Sequence, residues 1–395
     1  MPFFPEAPPL PPVTPEPDEQ AYLSAYRASL PNLQKFIYCN HASVGPLSDW
    51  VVAAMQEQFE QQRMAETTVQ DAWFDGWRQA RQRCGELVGA ERDEICIQVN
   101  TNDACLRVFS ALPLGPGDEV LCPADEFPSL WHALSELRLR GCDVRDVQAS
   151  KGDGIVRTGD ILNAMTPRTK LVATSWVNFF HGYTHDLAAL GEACRERGAW
   201  FVVDAMQGLG ALALNVKQVG AQFVVCHGAK WLCGPIGAAF LYVSRDVPPE
   251  ITPRQEGWFS MELNHLAYTD RTVKPKTNAN RFGTGSVPFP CMYGLRAAVE
   301  VFLKAGPRHA EARALANTDL LEQTAREAGL GVFSERKPLR SGIVSLSLPE
   351  GSTIPDKLRA ANVVFSVREG KLRLSPHWYM TERELGPVCE ILRKP

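Results

Sequence analysis

Residues 200–243 read WFVVDAMQGLGALALNVKQVGAQFVVCHGAKWLCGPIGAAFLYV, and this stretch decides the fold. It holds three short apolar runs, WFVVD (200–204), FVVC (223–226) and GAAFLYV (237–243). Each is of strand length and is bounded by glycine or polar residues, so each reads as a buried strand. Upstream the same unit recurs. EICIQV (94–99), DEVLCP (118–123) and KLVATS (170–175) read as strands, with helical spacing over 103–112, 128–140 and 186–197. Buried strands alternating with amphipathic helices predict βαβ units around a mostly parallel sheet, an α/β fold. In such sheets ligands bind beyond the carboxyl ends of the strands, so the polar residues that follow each strand are where chemistry is sought.

The flanks differ. Residues 20–30, 49–64 and 72–89 carry helical spacing, and FIYCNHASVGPLS (36–48) runs from an apolar stretch into a polar loop. After about residue 290, strands at SGIVSLSL (341–348), VVFSV (363–367) and KLRLS (371–375) lie among helical stretches at 292–305, 308–328 and 382–393. The expected division is an arm over 1–20, a large α/β domain over 21–290 and a smaller α+β domain over 291–395. Residues 252–290, rich in Gly, Pro, Asn and Thr yet carrying aromatics and Arg, read as a long functional loop.

The chain has 395 residues, is 45% hydrophobic and 22% charged, and carries a formal net charge of −4. That charge speaks against a binder of nucleic acid or another polyanion. No apolar run approaches the ~20 residues of a membrane span. The opening MPFFPEAPPLPPVTPEPDEQ lacks a basic region and an apolar core, and reads as an extended proline-rich arm rather than a signal peptide. The 11 cysteines form no CxxC pair, which favours reduced thiols and a cytoplasmic protein. Cys226, His227 and Cys233 match no common ligand spacing, so no metal is expected.

Three strand ends stand out. Asp204 closes one strand, with Gln207 three residues on. Lys230 sits among Ala229, Trp231 and Leu232, where desolvation favours the neutral amine that attacks carbonyls. Thr101, Asn102 and Asp103 lie between a strand and a helix, where free N–H groups suit a phosphate. Each has an ordinary alternative: Asp204 and the Thr101 group as helix caps, Lys230 as a lysine whose stem covers apolar surface. Together they are the lysine, carboxylate and phosphate seat that pyridoxal 5'-phosphate requires.

With these residues, and with RFGTGS (281–286) and LRLSPHWYMTEREL (372–385), the chain resembles the class V aminotransferase family of fold-type I pyridoxal-phosphate enzymes over roughly residues 36–393. The resemblance implies a mostly parallel seven-stranded sheet flanked by helices, plus a small α+β domain to which residues 21–50 contribute. It implies that Lys230 forms the Schiff base and moves the Cα proton. Asp204 would face the pyridine nitrogen, Gln207 the phenolic oxygen, and Asn178 would lie beside the ring. Thr101 and Asn102 would belong to the phosphate loop, and Phe127 would cover the ring face. His227 stands where many relatives place a phosphate-binding serine, and Ala229 where many place a histidine. Ser286 would reach the phosphate of a neighbouring subunit, implying a homodimer with composite sites. Arg373 would clamp the α-carboxylate of an amino-acid substrate, with Asn40 and His41 at the entrance and Arg281 as a weaker candidate for substrate contact.

Cysteine desulfurases of this family carry a nucleophilic cysteine shortly before that arginine. The interval VREGKLRLS (367–375) has none, so persulfide formation is disfavoured. The branch resembling isopenicillin N epimerase fits better, and it implies loss of the Cα proton followed by C–S elimination or epimerisation, ahead of transamination. An epimerase needs a second acid or base on the opposite face, and His41, His181 and Tyr183 are the candidates. A cofactor-binding protein without catalysis is the reading from another class.

Overall fold

The computed structural model describes residues 10–66, 69–262, 269–335 and 339–394. β1 (Ile37–Tyr38) opens the strand series. β2 (Ile95–Gln98), β3 (Glu119–Pro123), β4 (Asp143–Val147), β5 (Thr169–Ser175), β6 (Trp200–Asp204), β7 (Phe223–His227) and β8 (Ala239–Val243) then form one seven-stranded sheet in the order β2-β8-β7-β6-β5-β3-β4. It is parallel except for β8, which runs antiparallel to both neighbours.

Alternation along the strands explains the layers. Val172, Phe201, Val203, Val224 and Phe240 join one core. Their neighbours Leu171, Val202, Phe223, Val225 and Leu241 join another on the opposite face. Successive side chains of a strand point to opposite faces, so a strand buried on both reads as a continuous apolar run. Helices α1 (Glu19–Ala28) and α3 (Val69–Val88) feed the first core, as does the helix over Phe289–Ala305. α4 (Thr101–Ala111) and the helix pair over Pro128–Leu139 feed the second. α2 (Asp49–Met64) packs against Phe289–Ala305.

β9 (Gly331–Val332), β10 (Val344–Ser347), β12 (Ser366–Arg368) and β13 (Lys371–Leu374) form an antiparallel sheet, while β11 (Val363–Val364) pairs parallel with β1. The N-terminal segment continues along this edge. Cys39 N donates to Val364 O at 2.9 Å, and Ser375 N donates to Cys39 O at 2.8 Å.

Three differences from the sequence expectation have physical reasons. β4, DVRDV, carries no apolar run because it is an edge strand with charged residues turned outward, a common guard against edge pairing. VVFSV divides at Phe365 because its two halves pair with different sheets. The stretch 128–140 is two short helices, Pro128–Ala133 and Ser135–Leu139. Of the arm, residues 1–9 lie outside the described part. The remainder lies along its own chain: Leu10 N donates to Gln82 Oε1 at 2.8 Å, and Glu16 N to Lys304 O at 2.9 Å. All 11 cysteines are free thiols, and no described helix is long and apolar enough to cross a membrane.

Candidate active site

The carboxyl ends of β5, β6 and β7 place Ser175, Asp204 and His227 along one rim, with Lys230 on the turn after β7. That turn is held from both sides. Gly45 N donates to Ala229 O at 2.8 Å, and the His377 imidazole donates from Nε2 to Trp231 O at 2.6 Å. Gly45 must be glycine, since a Cβ there would lie 2.1 Å from Lys230 O. Cys233 adopts a left-handed conformation, φ 52°, to close the turn.

Lys230 Nζ lies 5.3 Å from the centre of the Phe127 ring. Burial pushes its ammonium down to about 8; Asp204 pulls the other way, and Arg373 and Arg368 add to the depression. Burial raises the Asp204 carboxyl, opposed by the Met206 N–H and by Lys230. Asp204 Oδ1 accepts from Met206 N at 2.8 Å, which leaves its other oxygen open to a ligand N–H.

Arg373 is buried on β13. Its Nε donates to Ser366 Oγ at 3.1 Å, one terminal nitrogen to Phe179 O at 2.5 Å and the other to Ser43 Oγ at 2.7 Å. A guanidinium has five N–H groups, so these three leave two, one on each terminal nitrogen: a free fork matched to a carboxylate. Burial, with Arg368 adding to it, lowers its pKa to about 10, so the group stays charged at neutral pH. Phe179, which accepts from Arg373, also stands edge-on to Phe127, with ring centres 5.0 Å apart.

α4 begins beside this rim, capped by Asn100, whose side chain accepts from Asp103 N at 2.8 Å. The first-turn N–H groups of a helix have no partner within it and carry the positive end of its dipole. Thr101 is buried there, with its hydroxyl on Met206 Sδ at 3.6 Å, and Asn102 is half-buried. Ala229 N donates to His227 Nδ1 at 3.1 Å, and Gly237 N lies 3.3 Å from its Nε2. Its pKa is lowered to about 4 by burial and by Lys230, so it is neutral.

The remaining candidates serve the walls. Gln207 Nε2 donates to Ala42 O at 2.9 Å while its Oε1 accepts from the Trp231 indole at 3.0 Å. Asn178 donates to Asp125 O at 2.8 Å and accepts from Phe180 N at 2.9 Å. Asn40 Oδ1 accepts from Ser43 Oγ at 2.9 Å, one step behind Arg373. Ser286 borders a cleft with Val99 and Asp103, and also a cavity of about 780 Å³ with Trp73, Trp258 and Phe289.

Four expectations are corrected. His41 is buried with both ring nitrogens engaged, Nδ1 on Ser375 O at 3.0 Å and Nε2 on the Tyr379 hydroxyl at 2.6 Å, so it is not a free entrance group. His181 is bound to Asp125 at 2.8 Å and to Tyr183 N at 3.1 Å. The Tyr183 hydroxyl accepts from Thr158 N at 3.2 Å. Arg281 donates to the carbonyls of Thr277, Ile251, Val247 and Pro248 at 2.9–3.3 Å and is a structural tie. Missed from the sequence are Ser43, Ser366 and Phe179 around Arg373, the cation Arg368, and Glu126, which the strand-end rule could have flagged beside Phe127.

The arrangement offers an amine for a carbonyl, a buried carboxylate for a protonated ring nitrogen, an aromatic face and a helix start for a phosphate. These groups suit a flat phosphorylated aldehyde built on a nitrogen ring.

A model of the family described as aminotransferase class-V matches residues 37–371. The chain is 26% identical to an uncharacterized aminotransferase, YcbU, of Bacillus subtilis, covering 91% of this chain and 94% of that one. It is 30% identical to a probable cysteine desulfurase of Methanothermobacter thermautotrophicus, covering 75% and 74%. A cystine C–S lyase solved with its product cysteine persulfide shares the fold, with TM-score 0.83 and 21% identity over 92% of this chain and 99% of that one. The chain belongs to the class-V aminotransferase family and is a pyridoxal-phosphate-dependent enzyme.

Proposed function

We propose that this enzyme removes a sulfur-linked β-substituent from an α-amino acid, acting as a C–S lyase. The observation that carries this reading is the division of labour among polar groups. Lys230 is poised as a base, whereas His41, His181 and Tyr183, the candidates for a second base, are all engaged in structural hydrogen bonds. Elimination needs one base and a leaving group; epimerisation needs acid–base groups on both faces.

Lys230, Asp204, Phe127 and the α4 start would hold the cofactor, which supplies an electron sink for the pair left when the Cα proton departs. Asp204, as carboxylate, keeps the ring nitrogen protonated. Phe127 offers a stacking face with no proton to exchange. The Arg373 fork takes the α-carboxylate and fixes the Cα–H bond with respect to Lys230. Lys230 Nζ accepts that proton and, as the ammonium, donates to the departing sulfur. With no cysteine in residues 366–375, the sulfur leaves as a free thiol or persulfide instead of passing to the protein. Arg368, whose charge bears on both Lys230 and Arg373, favours a substituent that is itself anionic. The chain acts as a homodimer, with Ser286 reaching the phosphate in the neighbouring subunit.

Incubation with S-substituted cysteines and cystine in deuterium oxide tests this. Pyruvate, ammonia and the thiol or persulfide are expected in equal amounts. Recovery of racemic, Cα-deuterated amino acid, or amino-group transfer to an added keto acid, would overturn it.

A further inference from the structure

Glu126 is a carboxyl beside the site that the proposed chemistry leaves unused. Its Oε1 accepts from Ser175 Oγ at 2.5 Å and from Phe127 N at 2.6 Å, and its Oε2 accepts from Ser175 N at 2.6 Å. Ser175 is the register partner of Asp204 on the next strand. One side chain therefore ties the strand end next to Asp204 to the residue whose ring faces Lys230. All three contacts can be donors to it, two of them backbone N–H groups on different oxygens. An ionised carboxylate is acceptor-only and satisfies every one. A glutamine cannot, because either orientation of its amide turns an NH₂ toward a backbone N–H. The titratable groups in electrostatic contact with Glu126 are Asp204 on β6, Cys105 on α4 and Cys122 on β3. Burial raises the Glu126 carboxyl to about 7, opposed by the Ser175 and Phe127 hydrogen bonds and assisted by Asp204.

We propose that Glu126 is a positioning residue for the cofactor: it fixes the Phe127 ring over Lys230 and adds a second negative charge beside Asp204. This rests on the roles assigned above to Lys230 and Asp204. The Glu126 carboxyl lies near that of Asp204 in a low-dielectric site, where its charge acts over several ångströms. Loss of that charge weakens the hold on every proton carried by the bound cofactor.

The test compares the cofactor-loaded wild type with Glu126→Gln and Ser175→Ala. The readouts are the pH midpoint of the visible band of the lysine-bound cofactor, the cofactor dissociation constant and the melting temperature. In Glu126→Gln the midpoint is expected to fall by about half a unit to one unit, and the dissociation constant to rise about tenfold. Ser175→Ala, which removes one donor and so favours the neutral acid, should move the midpoint the same way by less. A folded, loaded Glu126→Gln protein with an unmoved midpoint overturns the inference. If that variant does not fold, an unmoved midpoint in Ser175→Ala overturns it. Failure of borohydride to fix the cofactor on Lys230 in the wild type would instead defeat the assignment beneath it.

Discussion

Two clusters of buried polar side chains flank the backbone at Lys230, and they follow opposite rules. On one side, His41, His377, Tyr379, Gln207 and Trp231 satisfy one another and nearby carbonyls. Burial holds His377 near 4 and His41 well below its ordinary value, so both rings are neutral. On the other side, Lys230, Asp204 and Arg373 carry charge and keep donors or acceptors open. A buried charge without a full complement of partners costs several kcal/mol, and such groups persist where a ligand completes them. Histidine is a residue type that draws attention, yet here the histidines are mortar. Open hydrogen-bonding capacity marks the site better than residue type does.

The largest test of that contrast is Lys230→Ala. Turnover should fall at least 10³-fold, and borohydride should no longer attach the cofactor to the protein. Residual activity near wild type would move the catalytic centre elsewhere. Arg373→Lys comes next, because an ammonium cannot offer the two-pronged fork. kcat/KM should drop about 100-fold, mostly through KM. An unchanged KM would mean the fork faces something other than substrate.

A pH effect of about tenfold follows from Lys230. A lysine with its pKa lowered to about 8 is mostly ammonium at pH 7 and mostly free amine at pH 9. Since only the neutral amine attacks a carbonyl, the rate of cofactor capture by the apoprotein should climb across that interval. A rate that is flat, or that falls, contradicts the depressed value. The smallest kinetic effect belongs to the satisfied cluster. Tyr379→Phe leaves the buried His41 Nε2 unpaired, which should lower stability by about 1–3 kcal/mol in denaturant titration. kcat should stay within about threefold. A collapse of kcat without loss of stability would place that cluster in catalysis and erase the distinction.

Much of the fold was legible because its signals are local. WFVVD ends at Asp204 in the sequence and in the sheet alike, and FVVC extends by only His227. β4 was invisible because an edge strand needs no apolar run, and VVFSV concealed a switch between two sheets. Within the site, Lys230 and Asp204 were legible from strand-end position and surrounding composition, and Phe127 only through the family resemblance. Ser43 and Phe179 were not, because they reach Arg373 across 330 and 194 residues of chain.

By itself, then, the amino-acid sequence determined which residues could carry charge into the core, and on which turns after which strands. Only the tertiary structure decided which of them are finished and which are open. His41 meets Ser375 and Tyr379 across more than 330 residues, and those two contacts turn a candidate acid–base group into a neutral brace. The same packing gives Arg373 three neutral acceptors and leaves its fork free. The reason is physical: burial makes every polar group need partners, and those partners are supplied by whatever the fold brings near, not by neighbours in the chain.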